Sequence, residues 1–171
     1  MTSPTLPRGM ALLALLALAP AAATAQAGAA AHSLTGTWAL TAADEIGRDG
    51  VRRQSYGPEP QGLLIIDADG RYSLQLFRRD RRRFASGSKR QGTADEYADA
   101  VLGMSSHVGR CLIDSITGTL IFRIELASFP NWEGTEQRRT YTLTADRLAY
   151  RIPPSATGDG TIAISEWRRL R

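Results

Sequence analysis

Cysteine is almost missing from this chain: Cys111 is the single one in 171 residues, so no internal disulfide can form. Its thiol reads as a small buried apolar side chain on a strand, with a reactive or intermolecular thiol as the alternative. Histidine is nearly as scarce, with only His32 and His107, and no Cys or His cluster has zinc-type spacing, so no transition metal is expected. Aromatic residues make up 7% and are not interleaved with the cations, and the net charge is only +4, which argues against a nucleic-acid partner. The chain carries no Gly-x-Ser-x-Gly elbow, no phosphate-binding glycine loop and no His-Glu-x-x-His. No residue is therefore assigned as catalytic, and no cofactor is expected.

One long apolar run is present, Met10 to Leu18, preceded by a lone cation at Arg8 and followed by Pro20 and Ala23-Thr24-Ala25. The run is about half of the roughly 20 residues a membrane helix needs, and small residues sit where a peptidase cuts. Residues 1–25 are expected to be a secretory signal peptide, with an uncleaved anchor as the alternative. No later stretch is apolar enough for a stable membrane span. The expectation is an exported protein, periplasmic or secreted, with a flexible Ala-rich arm over 26–33 and one domain over 34–171. Its cysteine poverty is then a real constraint, because the domain must hold together by packing alone.

From Leu34 onward the pattern is short alternating runs between turn signals. Gly36 to Ala42 predicts a first strand, with Trp38, Leu40 and Ala42 on one face, and the polar run Asp44 to Gly50 predicts a turn. Pro58 and Pro60 mark a loop. Leu63 to Ile66, the turn Asp67-Ala68-Asp69-Gly70, and Tyr72 to Phe77 predict a hairpin, with Tyr72, Leu74 and Leu76 opposite Ser73, Gln75 and Phe77. Asp67 and Asp69 look faintly like the start of a calcium loop, but the other ligands are missing at the required spacing. Thr93-Ala94-Asp95-Glu96 matches a capping box, and a short helix ending near Gly103 should follow, with Tyr97, Ala100, Val101 and Met104 as its packing stripe. His107 to Ile113, Leu120 to Leu126, Arg138 to Thr144, Arg147 to Ile152 and Thr161 to Leu170 complete the strand candidates. About eight strands and one helix suggest an all-β, eight-stranded antiparallel barrel.

Five pieces in order carry a resemblance. They are Gly36-Thr37-Trp38, Tyr56-Gly57-Pro58 with Gly62-Leu63-Leu64, Asp69-Gly70-Arg71, Arg83 to Gly87, and Phe129-Pro130-Asn131-Trp132-Glu133-Gly134. Together they resemble the bacterial lipocalin-like domain family, over nearly the whole of 34–171. The resemblance implies a calycin-type barrel without implying one shared reaction. It also implies that Trp38 meets a basic side chain from the barrel's end, Arg168 or Arg169, in a structural contact. Trp167 is expected to close the barrel. The chain departs from its relatives along 119–126, where Phe122-Arg123 stands in place of an expected histidine-bearing segment, and this favours binding over catalysis.

An eight-stranded barrel either fills its interior or holds one small ligand. Candidate ligand-binding residues are Tyr56, Gln75, Arg78, His107, Phe122, Trp132 and Tyr141, each with packing or exposure as the plainer reading. The cluster Arg78-Arg79-Asp80-Arg81-Arg82-Arg83 is either a solvated loop or a site for a carboxylate, phosphate or lipid headgroup. Three functions are open. The first is binding of a small hydrophobic or amphipathic molecule, with an anionic one among the options. The second is a cofactor-free cyclase or isomerase using His107 with Tyr141, and the third is a structural or interaction barrel with a filled interior.

Overall fold

The computed structural model describes residues 34–154 and 160–171, so the expected signal peptide and arm lie outside the described residues. Nine strands follow in chain order: β1 (Gly36–Ile46), β2 (Arg52–Arg53), β3 (Gln61–Ile66), β4 (Arg71–Phe77), β5 (Met104–Asp114), β6 (Thr119–Ala127), β7 (Glu136–Leu143), β8 (Arg147–Ile152) and β9 (Ile162–Arg169). Helix α1 (Ala94–Leu102) lies between β4 and β5, and a single 3-10 turn (Pro130–Trp132) precedes β7. Every pairing is antiparallel, and β1 pairs with both β3 and β9. The sheet thus closes into an eight-stranded barrel with no free edge, and β2 is a two-residue addition beside the end of β1.

Alternation sets the inside. Tyr72, Leu74 and Leu76 of β4 are buried, and their paired neighbours Leu64 and Ile66 on β3 are buried with them. Leu63 and Ile65, one residue out of phase, face outward. In β1 the phase changes midway. Leu40 pairs with Trp167 and Ala43 with Ser165, so Thr41 is one extra residue, a bulge. Trp38 and Leu40 point inward before it, whereas after it Ala43 joins the core, with Asp44 buried beside it, where unbroken alternation had placed Ala42. The strand also runs on to Ile46 through the segment that was expected to turn. A second irregularity falls at Gly109 of β5, where a Cβ would lie 2.0 Å from the Arg123 carbonyl oxygen, so only glycine lets β6 come that close.

The helix begins as its capping box predicts: Thr93 Oγ1 accepts from the Glu96 amide while the Glu96 carboxylate accepts from the Thr93 amide. Its packing differs from expectation. Tyr97 and Val101 are exposed, Met104 belongs to β5, and Glu96 is the buried residue of the helix. Glu96 also accepts from the Ala85 amide and Asp99 from the Arg82 amide, so carboxylates dock this helix onto the preceding loop in place of an apolar stripe. These backbone donors hold both carboxyls below their ordinary range.

One end of the barrel is sealed. Trp38, Leu148 and Trp167 are fully buried there, and the Trp38 indole N–H donates to the Leu34 carbonyl at 3.0 Å. The Arg169 guanidinium lies 4.0 Å from the Trp38 ring centroid and donates to the carbonyls of Thr35 and Ala145. Arg168, one residue earlier, is exposed. Replacing Arg169 with Met should lower unfolding stability by about 1–2 kcal/mol, the worth of a partly desolvated cation–π contact with its hydrogen bonds. Arg168→Met should stay within about 0.5 kcal/mol. Urea denaturation of both variants measures this difference.

Candidate functional site

The opposite half of the barrel is open. A cavity of about 170 Å³ lies there, reached past Tyr56, Trp132 and Thr161 and walled by the upper parts of β1, β4, β5, β7, β8 and β9. Leu74, Leu76, Ala43, Ile152 and Ala163 supply apolar wall. Ser105, His107, Gln137, Arg139, Tyr150 and Ser165 supply polar groups, and the carboxylates of Asp44 and Glu45 line the cavity too, Asp44 buried and held by the Arg52 guanidinium. The strands place these side chains together: Leu74 pairs with His107, Tyr150 with Ser165, and Ser165 with Ala43. The shared face is therefore a consequence of register.

Arg139 dominates the chemistry. It is only 2% exposed, and its guanidinium lies 4.1 Å from the Phe122 ring centroid and 4.8 Å from that of Tyr150. Nη2 donates to Gln137 Oε1 at 2.7 Å and faces His107 Nε2 at 3.2 Å. Among the described residues it forms no ion pair, and Nε has no hydrogen-bond partner. An arginine stays protonated even when buried, so a full positive charge sits in the barrel wall, stabilised by two ring faces, an amide oxygen and an imidazole nitrogen.

That charge fixes the state of His107. A guanidinium only donates, so His107 Nε2 must accept, and the proton sits on Nδ1, which donates to Tyr72 Oη at 2.7 Å. Burial first, and the Arg139 charge second, push the His107 pKa down to about 2. Burial likewise raises the phenols of Tyr56, Tyr72 and Tyr150. It also lifts the Cys111 thiol to about 12, the behaviour of an inert core side chain on β5. The Tyr150 hydroxyl is fully enclosed, and its neighbours Ser165 and Trp167 do not reach hydrogen-bonding geometry.

The sequence candidates scatter. His107 lies in the wall, and Tyr56 and Trp132 stand at the mouth, Trp132 meeting His107 edge to face at a centroid distance of 6.1 Å. Phe122 is wholly buried beneath the cavity, packed against Tyr72 and Arg139. Gln75 is a correction: it is exposed, because Leu74 takes the inward position on β4. Arg78 is another, its guanidinium held outside the cavity by Asp99 of α1 and by Asp80. Tyr141 packs beside the core rather than lining the cavity, and the partner of His107 is Tyr72. Arg139, Gln137 and Tyr150 were missed. The signal was present, since the face of β7 that carries Tyr141 and Leu143 reaches Arg139 and then Gln137 when stepped back by two.

Among the described residues no group of His, Cys, Asp and Glu is gathered to hold a metal ion, and no helix is long and apolar enough to cross a membrane. A closed antiparallel barrel, sealed at one end around a tryptophan and hollow at the other, is the architecture of a small-molecule container. The chain belongs to the lipocalin-like domain family, whose profile matches residues 35–170. Barrels of this family generally bind small hydrophobic ligands. No curated protein matches the chain.

The locked imidazole has a measurable consequence. The unfolded chain takes up a proton at His107 below about pH 6.5, whereas the folded barrel resists until about 2. The unfolded state therefore binds more protons in that window, and stability falls as pH drops, by about 2 kcal/mol between pH 6.5 and 5. The carboxylates held below their ordinary range contribute only at lower pH. Urea denaturation at pH 7.5, 6.5 and 5 should show this loss in the wild type and lose most of the slope in His107→Gln.

Proposed function

We propose that the protein is an exported binding protein that holds a small hydrophobic or amphipathic molecule inside the barrel. The observation that carries this reading is the one-ended cavity, mostly apolar with a few converging polar groups, in a family of ligand-binding barrels. Its size limits the guest. About 170 Å³ is below the roughly 300 Å³ at which typical ligand pockets begin, and close to the ~150 Å³ of an engineered apolar cavity that takes up benzene. A single ring or a short chain fits, and a long-chain lipid does not. Export to the periplasm or the medium is supported by the cation, apolar run and small-residue site within residues 1–25.

Turnover by His107 with Tyr141 has less support. His107 is held neutral by its burial and by Arg139, which makes it a poor proton acceptor near neutral pH, and Tyr141 does not line the cavity. A filled structural barrel has less support again, because the upper half is hollow.

Organic-solvent extraction of the purified protein, followed by mass spectrometry, should release a co-purifying small molecule. Melting curves across a panel of single-ring aromatic and short-chain compounds should rise for some members, by an amount corresponding to about 2.7 kcal/mol at a hundredfold excess over Kd. Ala163→Phe, which fills the cavity wall, should abolish the rise without changing the far-ultraviolet circular dichroism. Finding neither a released molecule nor any melting rise would count against ligand binding.

A further inference from the structure

We infer that the guest is a monocarboxylic acid whose carboxylate is held by Arg139 in the depth of the cavity, with its apolar body directed to the mouth. This rests on the ligand-binding reading and names the chemistry of its guest. Arg139 is an arginine without a carboxylate partner among the described residues, although the surface of this barrel pairs its arginines freely, as Arg53 with Asp49, Arg71 with Glu125 and Arg123 with Glu136. Its two hydrogen-bonding partners both sit at Nη2, and among the described residues Nε and Nη1 have no acceptor. Tyr150, equally buried in the same wall, carries a hydroxyl with no hydrogen-bond partner. A buried cation and a buried hydroxyl in one cavity wall, the guanidinium lying over the face of the tyrosine ring, fit an anionic oxygen pair.

The rest of the cavity selects within that class. One guanidinium supplies one positive charge, which a carboxylate neutralises and a phosphate dianion would exceed. Gln137 and His107 grip the guanidinium from the side and hold its plane over Phe122, so the donors are oriented before any ligand arrives. The lock on His107 matters here, since a protonated imidazole would present an N–H to Nη2 and break the arrangement. Asp44 and Glu45 also line the cavity; Asp44 is already paired with Arg52, so Glu45 repels an anionic head and Arg139 attracts it, which orients the acid within the cavity. The apolar wall made by Leu74, Leu76 and Ile152 then receives the body of the acid.

Calorimetric titration at neutral pH with benzoate and hexanoate, set against benzamide and hexanamide, tests the assignment. The carboxylates should bind about 10- to 100-fold more tightly than the amides of the same shape, the range of a charge-assisted hydrogen-bond pair. Arg139→Met should bring the acids down to the level of the amides, and its melting temperature without ligand should be no lower than that of the wild type, because an unpaired buried charge has been removed. Tyr150→Phe should weaken the acids more than the amides. Equal binding of acids and amides by the wild type would overturn the assignment while leaving ligand binding intact, as would an acid preference that survives in Arg139→Met. Binding of neither class, together with no extracted molecule, would overturn both readings. The wild-type comparison decides whether or not the Met variant folds.

Discussion

The pairing of the first strand with the last is the constraint on which everything else depends. With β1 hydrogen-bonded to β3 on one side and β9 on the other, the sheet has no edge, and eight rows of inward side chains must share one enclosed space. At the sealed end that space is filled by Trp38, Leu148 and Trp167, and Arg169 covers the first of these from β9. Closure and sealing are therefore one event, since the strand that completes the sheet also delivers the cap. A chain with a lone cysteine needs such an arrangement, because no covalent staple can replace it.

Enclosure also makes the polar residues of the upper half expensive. A charged guanidinium, an imidazole, an amide and two phenols in one wall need mutual satisfaction, and most of it is supplied locally: Gln137 and His107 to Arg139, and Tyr72 to His107. What is left over is asymmetric. The surplus is of unpartnered polar groups, Arg139 Nε and the Tyr150 hydroxyl, and it lies where the apolar packing stops. An interior selected only for stability would place a hydrocarbon at position 139.

Much of the fold was legible in the sequence. The hairpin through Asp67–Gly70, the alternation of Tyr72, Leu74 and Leu76 and the capping box at Thr93 each depend on neighbours a few residues away, and local chemistry decides them. The helix's docking was not legible, because Glu96 and Asp99 bind backbone amides of the preceding loop, contacts made only once the loop has folded. The site was read unevenly for a related reason. His107 and Trp132 stand out as rare residue types, whereas Arg139, in phase with Tyr141 within the expected strand, hid among many arginines, and Gln137 joins that face only when β7 is followed back to Glu136. Gln75 was misplaced by one residue of phase, which in a strand means the opposite side of the sheet. The conspicuous arginines at 78–83 drew attention as an anion site, yet Arg78 and Arg79 are already paired with Asp80, Asp99 and Glu59.

The bulge at Thr41 is a small feature with wide reach. Along β1, even-numbered residues face the dry plug up to Leu40, and after the bulge the odd-numbered Ala43 and Glu45 line the hollow, with Asp44 between them buried against Arg52. One strand therefore obeys opposite parity rules in its two halves, and the boundary coincides with the change from filled to empty interior. Sequence variation in the lower half is read out as packing of the plug and in the upper half as the shape and polarity of the cavity wall. Because the parity flips between them, a deletion of Thr41 would exchange the two vocabularies along the strand while leaving its composition almost untouched.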